Sequence, residues 1–238
     1  MILYPAMDLM SGRVVRLAQG RFEESTTYPA DPAAALAGFA AAGARWAHVV
    51  DLDGARAGEP VQHDLIAGLA HGAALDLQVA GGFRTREQIA RMLDRGVGRV
   101  VIGSLAVKRP DLVRGFLDEF GGDRITLSLD VRLTGGVPIV ATAGWTEDSG
   151  RSLWEIADLY PEARHLLLTD IGRDGMLAGP NFELLEEAGA RLPHLAIQAS
   201  GGVSSLDDLR SLRTAGAIVG KALWEGRIEL AEALDACA

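Results

Sequence analysis

Two segments of this chain, half its length apart, follow the same pattern, and this internal repeat constrains the fold more than any other feature. The first reads Val79-Ala-Gly-Gly-Phe-Arg-Thr and then Val100-Val-Ile-Gly-Ser, and the second reads Gln198-Ala-Ser-Gly-Gly-Val-Ser and then Ala217-Ile-Val-Gly-Lys. Equivalent positions are Asp8 and Asp130, Gly81 and Gly201, and Gly103 and Gly220, separated by 117 to 122 residues. We therefore predict two half-barrels, at about 1–122 and 123–238, with equivalent positions on opposite sides of one axis.

Short runs of β-branched and aliphatic residues, each followed by a stretch with helical spacing, indicate repeated βα units. The predicted strands are Ile2–Asp8, Ala47–Asp53, Leu75–Ala80, Arg99–Gly103, Ile125–Asp130, His165–Asp170, Leu195–Ala199 and Ala217–Gly220. Predicted helices between them include Asp31–Ala42, Thr85–Arg95 and Ser205–Arg213. In the first of them, Asp31 is the predicted N-cap, Pro32 lies in the first turn and Gly43 is the stop. Eight units in 238 residues predict a single α/β domain with the (β/α)8 TIM barrel fold. A doubly wound open sheet is the alternative, and the count of eight disfavours it.

The composition excludes several classes of protein. Acidic residues outnumber basic ones by 32 to 23, which argues against a nucleic-acid-binding face. The longest uncharged apolar stretch, Ala33–Ala44, is too short to cross a bilayer, and no charged-then-apolar leader follows Met1. The one cysteine, Cys237, can form neither an internal disulfide nor a thiolate zinc site. We expect a soluble cytoplasmic protein that binds neither nucleic acid nor membrane.

Each Gly-Gly pair lies where a predicted strand ends, and this position suits an anion. Glycine lets the backbone turn its N–H groups toward the anion, and the next helix adds its positive end. We predict two phosphate sites, one formed by Gly81, Gly82, Gly103 and Ser104 and the other by Gly201, Gly202, Gly220 and Lys221. The alternative is that these glycines only form tight turns. Lys221 could also indicate a Schiff-base enzyme, but its place after a phosphate-type glycine favours a counter-ion.

Asp8 and Asp130 end the first and fifth predicted strands, where barrel side chains point into the pocket at the top. Two facing carboxylates suit paired proton transfers, one ionised as a base and the other protonated as an acid. Alternatively, each aspartate only caps a βα loop. Thr169 and Asp170 end the sixth strand, and Asp174, on a glycine-flanked loop, competes with Asp130 for the acid role.

Other charged or titratable residues have two interpretations each. Asp51 and Asp53 end the second predicted strand and either act in the pocket or bond to nearby backbone. His48 lies inside an apolar strand and is interpreted as a structural histidine rather than a ligand or base. Arg16 and Arg84 either meet anionic or carbonyl groups of a substrate or form surface ion pairs.

Two long loops are predicted lids over the pocket. Leu133–Arg151 contains the strand-like Val137–Ala143 and then Trp145. Trp145 either lies over a planar ligand ring or packs on its own hairpin. The second lid is Arg16–Tyr28, with Gln19-Gly20 as its hinge.

The combined motifs closely resemble one enzyme family. They are Met7-Asp8-Leu9, Val14-Val15-Arg16-Leu17, Gln19-Gly20, Val50-Asp51-Leu52-Asp53-Gly54-Ala55, Gly81-Gly82-Phe83-Arg84-Thr85, Leu129-Asp130-Val131-Arg132, Gly144-Trp145, Thr169-Asp170-Ile171, Arg173-Asp174-Gly175 and Ser200-Gly201-Gly202. From Met1 to about Glu225, the sequence resembles the ProFAR isomerases (phosphoribosylformimino-5-aminoimidazole carboxamide ribotide isomerases) of histidine biosynthesis. Each fragment alone is a weak signal, but the combination is specific.

The resemblance implies an Amadori rearrangement of the aminoaldose ProFAR to the aminoketose PRFAR, without a metal or other cofactor. It assigns the base to Asp8 and the acid to Asp130, with assisting positions at Thr169 and Asp174; in some relatives the acid is the residue matching Asp174. Trp145 matches a residue that stacks on the substrate. The expected partner is a small molecule with a phosphate at each end, bound by a monomer.

Two departures and three alternatives bear on this interpretation. Lys221 stands where the family usually has Arg. The second repeat is shorter, with 19 residues from Gly201 to Gly220 against 22 between the equivalent glycines of the first. The shortening falls near Arg213–Ala217, where we expect it to strain the eighth strand or displace the phosphate site.

The alternative functions are of three kinds. A cyclase subunit of imidazole glycerol phosphate synthase is disfavoured by the isomerase-like Gly144-Trp145. A dual isomerase that also accepts phosphoribosylanthranilate, or a catalytically impaired phosphate-binding relative, remains open.

Overall fold

The computed structural model describes residues 1–18 and 20–238. Its strands are β1 (Ile2–Met10), β2 (Arg13–Ala18), β3 (Arg21–Thr27), β4 (Trp46–Asp51), β5 (Asp76–Ala80), β6 (Arg99–Ile102), β7 (Ile125–Thr134), β8 (Val137–Thr142), β9 (Glu147–Ser152), β10 (His165–Asp170), β11 (Ala196–Ser200) and β12 (Gly216–Val219). Within the described ranges, eight parallel strands run in the order β10, β11, β12, β1, β4, β5, β6, β7, and β7 pairs with β10. This pairing closes the sheet, so the predicted (β/α)8 barrel is confirmed and the open sheet is excluded.

Helices connect the barrel strands. They are α1 (Pro32–Ala41), α2 (Leu52–Ala57), α3 (His63–Gly72), α4 (Arg86–Asp94), α5 (Ser104–Lys108), α6 (Pro110–Phe120), α7 (Leu153–Ala157), α8 (Phe182–Arg191), α9 (Leu206–Ser211), α10 (Lys221–Trp224) and α11 (Leu230–Ala236). The start of α1 follows the predicted signals, since the side chain of Asp31 accepts a hydrogen bond from the backbone N–H of Ala34. In the described part of the chain, none of these helices combines the length and apolar character needed to cross a membrane.

The second predicted strand, Ala47–Asp53, is too long by two residues. The strand β4 ends at Asp51 because the Asp51 carboxylate accepts a hydrogen bond from the backbone N–H of Gly54 at 2.8 Å. This bond caps α2, which therefore begins at Leu52.

Two antiparallel hairpins extend the barrel at its top, one in each half of the chain. The first arm, residues 13–18 and 20–27, consists of β2 and β3, and β2 pairs with β1. The second arm, residues 137–152, consists of β8 and β9 and pairs with β7. The two predicted lid segments are thus hairpins that follow equivalent strands of the two halves.

The core lies between the strands and the surrounding helices. Buried side chains such as Ile89, Val113 and Leu209 pack from the helices onto the outer face of the barrel. The inside of the barrel is filled by a smaller apolar cluster, which includes Tyr4 and Leu167, and by polar side chains. This arrangement is the usual one for a barrel whose interior is packed rather than open.

The shortened second repeat does not strain the eighth strand as expected. Its helix, α9, has 6 residues, whereas the equivalent helix α4 has 9. The strand β12 still pairs with β1 from Ile2 opposite Gly216 to Pro5 opposite Val219, and it pairs with β11 on its other side. The helix therefore absorbs the shortening, and Gly220 directly follows a strand that is paired on both sides.

Candidate active site

A cavity of about 320 Å³ opens at the carboxyl ends of the barrel strands, beneath the two arms. The residues that the sequence assigned to catalysis or to substrate and phosphate binding all line it: Asp8, Arg16, Gly20, Gly81, Gly82, Arg84, Gly103, Ser104, Asp130, Trp145, Thr169, Asp174, Gly201, Gly202, Gly220 and Lys221. Carboxyl ends of parallel strands form the active-site face of this fold. The cavity is therefore the candidate active site.

Asp8 is held by a cation from the first arm. β2 pairs with β1 beside Asp8, and Arg16 of β2 contacts the Asp8 carboxylate. Arg16 Nη1 donates to Asp8 Oδ2 at 2.9 Å, and Arg16 Nη2 donates to both carboxylate oxygens of Asp174, at 3.0 and 3.3 Å. Burial raises the pKa of Asp8, and the guanidinium of Arg16 opposes this rise. Arg16 thus joins two carboxylates inside the cavity rather than forming a surface ion pair.

Asp130 is held by neutral donors instead. Trp145 Nε1 donates to Asp130 Oδ2 at 2.8 Å, and Ser128 Oγ lies 3.4 Å from Oδ1. Thr169 faces Asp130 across β7 and β10 and also bonds to its carboxyl group. Burial raises the pKa of Asp130, while the hydrogen bonds from Trp145 and Thr169 act against the rise.

The two arms make the equivalent aspartates chemically different. The first arm brings the permanently charged Arg16 to Asp8, and the second arm brings the neutral indole N–H of Trp145 to Asp130. A guanidinium favours the ionised carboxyl, whereas a neutral site favours the protonated form. The duplicated scaffold therefore carries two carboxyl groups with unlike environments.

Trp145 turns into the cavity instead of packing on its own hairpin. It has a positive φ of 72°, and its carbonyl accepts a hydrogen bond from Arg132. Arg132 also forms an ion pair with Asp148 at 2.7 Å, which ties the tip of the second arm to β7 and β9. The indole lies against Gly20, so the tips of the two arms meet above the carboxyl groups. The other predicted hinge residue, Gln19, lies outside the described residues.

The glycine pairs occupy equivalent, crowded positions. A Cβ atom on Gly82 would lie 2.5 Å from the carbonyl carbon of Glu59, and one on Gly202 would lie 2.3 Å from the carbonyl oxygen of Gly179. Both residues also have positive φ angles, of 79° and 88°. The local turn therefore requires glycine at both positions, whatever ligand binds, so these residues alone do not identify an anion site.

Two cations lie beside the glycine pairs. Arg84 donates to the carbonyl of Phe83 at 3.0 Å and forms no ion pair within the part of the chain that the structure describes. Lys221 Nζ donates to the carbonyl of Gly175 at 2.8 Å and lies 3.7 Å from Glu225. A positive charge that a protein carboxylate does not fully neutralise suits a phosphate ligand. The predicted phosphate sites thus have a cation at each end of the cavity.

Three other predicted aspartates hold loops together. Asp51 accepts hydrogen bonds from the backbone of Gly54, Val61 and Gln62. Its counterpart in the second half, Asp170, accepts from Gly172 and Asn181, and Asp53 accepts from Ser11. None of the three lines the cavity, so the backbone-bonding interpretation is the correct one. Within the described residues, no group of His, Cys, Asp or Glu is placed to hold a metal ion.

Sequence reasoning assigned no role to Ser128 and Arg132. Ser128 lies two residues before Asp130 on β7, so the alternation of side chains along a strand places both on the inner face. This alternation is the sequence signal from which Ser128 could have been predicted. The role of Arg132 depends on the fold of the second arm, because its two partners are Trp145 and Asp148. No local sequence signal could have predicted that role.

Comparisons with known proteins agree with this geometry. A family profile described as histidine biosynthesis protein matches residues 2–229. Curated proteins from Stenotrophomonas maltophilia (strain R551-3) and Maricaulis maris (strain MCS10) are each 50% identical over 239 residues, covering 98% of both chains. A protein from Shewanella sp. (strain MR-4) is 46% identical over 240 residues with the same coverage. All three are named 1-(5-phosphoribosyl)-5-((5-phosphoribosylamino)methylideneamino) imidazole-4-carboxamide isomerase. The chain therefore belongs to the histidine biosynthesis protein family.

Proposed function

We propose that this chain is the isomerase of histidine biosynthesis that converts ProFAR, the compound in its relatives' name, into PRFAR by an Amadori rearrangement. One observation carries the mechanistic part of the proposal. Two repeat-related carboxyl groups, Asp8 and Asp130, line one cavity between two glycine-rich strand ends, and their partners differ in charge. An aldose-to-ketose isomerisation needs one proton donor and one proton acceptor, which such a pair supplies.

Asp8 is the base and Asp130 the acid in this mechanism. The Arg16 guanidinium at 2.9 Å favours the carboxylate form of Asp8, as a base requires. Burial raises the pKa of both carboxyl groups, but the hydrogen-bond donors to Asp130 are neutral, so the protonated form that an acid requires is favoured there. Asp174 is bound by Arg16 through both oxygens and therefore serves to position Arg16. Asp130, rather than Asp174, is therefore the acid.

The reaction then proceeds in three steps. Asp130 gives its proton to the ring oxygen of the ribose, the bond from C1 to that oxygen breaks, and the ring opens to a protonated imine. Asp8 removes the proton from C2, which produces an enolamine. The enolamine tautomerises to the ketose. None of these steps transfers electrons to a redox group.

The two glycine-rich ends hold the phosphates of the substrate. Gly81, Gly82, Gly103 and Ser104, with Arg84, form one site, and Gly201, Gly202 and Gly220, with Lys221, form the other. Binding energy from these remote groups positions C2 against Asp8. We propose that the enzyme acts as a monomer, in the cytoplasm, without nucleic acid or membrane partners.

The test is to offer ProFAR and phosphoribosylanthranilate separately to the purified protein. Conversion of ProFAR by the wild type, and its loss in Asp8→Asn with ligand binding retained, is the expected result. Conversion of both compounds would indicate the dual isomerase. Binding of ProFAR without turnover by the wild type would identify a catalytically impaired relative and refute the proposal.

A further inference from the structure

A network of buried polar side chains crosses the barrel below the active-site carboxyl groups. Gln78 on β5 and Gln198 on β11 occupy equivalent positions in the two halves and are 0% and 1% exposed. Gln78 Nε2 donates to Gln198 Oε1 at 2.7 Å, and Gln198 Nε2 donates to Gln78 Oε1 at 3.0 Å. The same two hydrogen bonds would form if the amide oxygen and nitrogen of both side chains exchanged places. This pair alone therefore does not set the orientation of either amide group.

Arg99 removes this ambiguity. Arg99 Nη1 lies 3.3 Å from Gln78 Oε1, and Thr126 Oγ1 donates to the same oxygen at 2.9 Å. A guanidinium can only donate hydrogen bonds, so the atom that faces it must be the amide oxygen of Gln78. The amide nitrogen of Gln78 therefore faces the opposite way, toward His48.

The orientation of Gln78 determines the tautomer of His48. Gln78 Nε2 lies 3.2 Å from His48 Nδ1. An amide nitrogen can only donate, so Nδ1 accepts and the proton of the neutral ring is on Nε2. Burial lowers the pKa of His48 to about 4, which keeps the ring neutral near pH 7.

The Nε2–H group of His48 faces the active site. His48 is 6% exposed, and it lines the same cavity as Asp8 and Asp130. On β4 it lies opposite Ala6 of β1. Ala6 is two residues before Asp8, so it is the preceding residue of β1 whose side chain points into the barrel. Nε2 is neither hydrogen-bonded to a described residue nor fully enclosed, so its proton is available to a ligand in the cavity.

We propose that His48 binds the substrate, donating its Nε2–H to an oxygen of the sugar that is isomerised, with Arg99 and Gln78 as positioning residues that fix the tautomer. This inference rests on the proposed function, because it takes the substrate to be the sugar held above Asp8 and Asp130. A hydroxyl oxygen can accept this bond before the reaction, and the ketose oxygen can accept it afterwards. This proposal differs from the sequence-based interpretation of His48 as a structural histidine.

The first test compares two substitutions of His48 in the full-length enzyme. His48→Leu removes the donor, and we expect kcat/KM for ProFAR to fall about tenfold, the effect of about one lost hydrogen bond. His48→Gln restores an N–H donor near the position of Nε2 and should recover much of that loss. Equal losses in the two variants, or no loss in His48→Leu, would overturn the inference. No turnover by the wild type would instead refute the proposed function, and with it this inference.

The second test reads the tautomer directly, from ¹⁵N chemical shifts of the histidine rings, with His48 assigned by its absence in His48→Leu. We expect a neutral Nε2–H ring in the wild type. Gln78→Leu should give a mixture of tautomers, because the donor to Nδ1 is gone. Gln198→Leu is the matched control: it removes the same amide pair but leaves Gln78 held by Arg99, so the tautomer should not change. An Nδ1–H ring in the wild type would overturn the inference without depending on activity.

Discussion

The contact between Gly20 and Trp145 can be tested by replacing the glycine with alanine. A Cβ atom on residue 20 would lie 2.9 Å from Cε3 and 3.1 Å from Cζ3 of the indole. Non-bonded carbon atoms attract each other best at about 3.5–4.0 Å, so the ring has to move. Because Trp145 reaches Asp130 only in its present position, the hydrogen bond to Asp130 should be lost.

The size of the effect follows from the cost of the extra methyl group. Adding a methyl group to a packed contact costs about 1–3 kcal/mol, which is about a 5- to 150-fold change in the population of the inward ring. Alanine at the Gly20 φ of 72° adds a backbone cost of about 1–2 kcal/mol. Gly12→Ala is the matched control. Gly12 has a φ of 73° in the turn that precedes the same arm, but its added Cβ would meet only Leu65 Cδ2, at 4.0 Å.

The assay is ¹⁹F NMR of enzyme labelled with 5-fluorotryptophan, with Trp145 assigned by its absence in Trp145→Phe. Gly20→Ala should shift the Trp145 resonance and lower kcat/KM, whereas Gly12→Ala should affect stability alone. If Gly20→Ala leaves the Trp145 resonance unchanged, or if the two variants behave alike, the contact between the arms does not hold Trp145 over Asp130.

Three further predictions concern charged groups. Arg16→Met removes the cation that opposes the raised pKa of Asp8, so the acid limb of the kcat/KM profile should move to higher pH; an unchanged limb contradicts the pairing. Arg84→Met should raise KM for the bisphosphorylated substrate with little change in kcat, and a large fall in kcat alone would contradict a binding role. Burial lowers the pKa of His165 to about 4, so the unfolded chain binds an extra proton between about pH 6.5 and 4. The free energy of unfolding, measured with denaturant at pH 7 and at pH 4, should fall more in the wild type than in His165→Gln, by up to about 3 kcal/mol. An equal fall in the two proteins would contradict this.

Strand alternation and the internal repeat were enough to predict the barrel and the positions of its inward side chains. Thr169 lies at the end of β10 as predicted, whereas β1 continues to Met10 and β7 to Thr134 because each pairs with an arm; Asp8, Asp130 and Thr169 all line the cavity. These positions follow from local periodicity, which does not depend on how distant segments pack. The same reasoning predicted the cap at Asp31, because that hydrogen bond spans only three residues.

The partners of the aspartates could not be predicted in this way. Arg16 reaches Asp8 because β2 folds back against β1, and it reaches Asp174 across 158 residues of sequence. Trp145 reaches Asp130 only because the second arm folds over the barrel. The expected strain in the eighth strand was wrong for a related reason. The strand β12 is hydrogen-bonded to a neighbour on each side, so the missing residues are lost from the helix α9 instead, and this depends on tertiary pairing.

The assignment of Asp8 as base and Asp130 as acid is tested most directly by the primary deuterium isotope effect at C2 of ProFAR, measured on kcat. In Asp8→Asn, removal of the C2 proton becomes the slow step, so the isotope effect should increase above that of the wild type. In Asp130→Asn, ring opening becomes the slow step, so the isotope effect should fall toward unity. The opposite pattern, or full activity in both variants, would contradict the assignment.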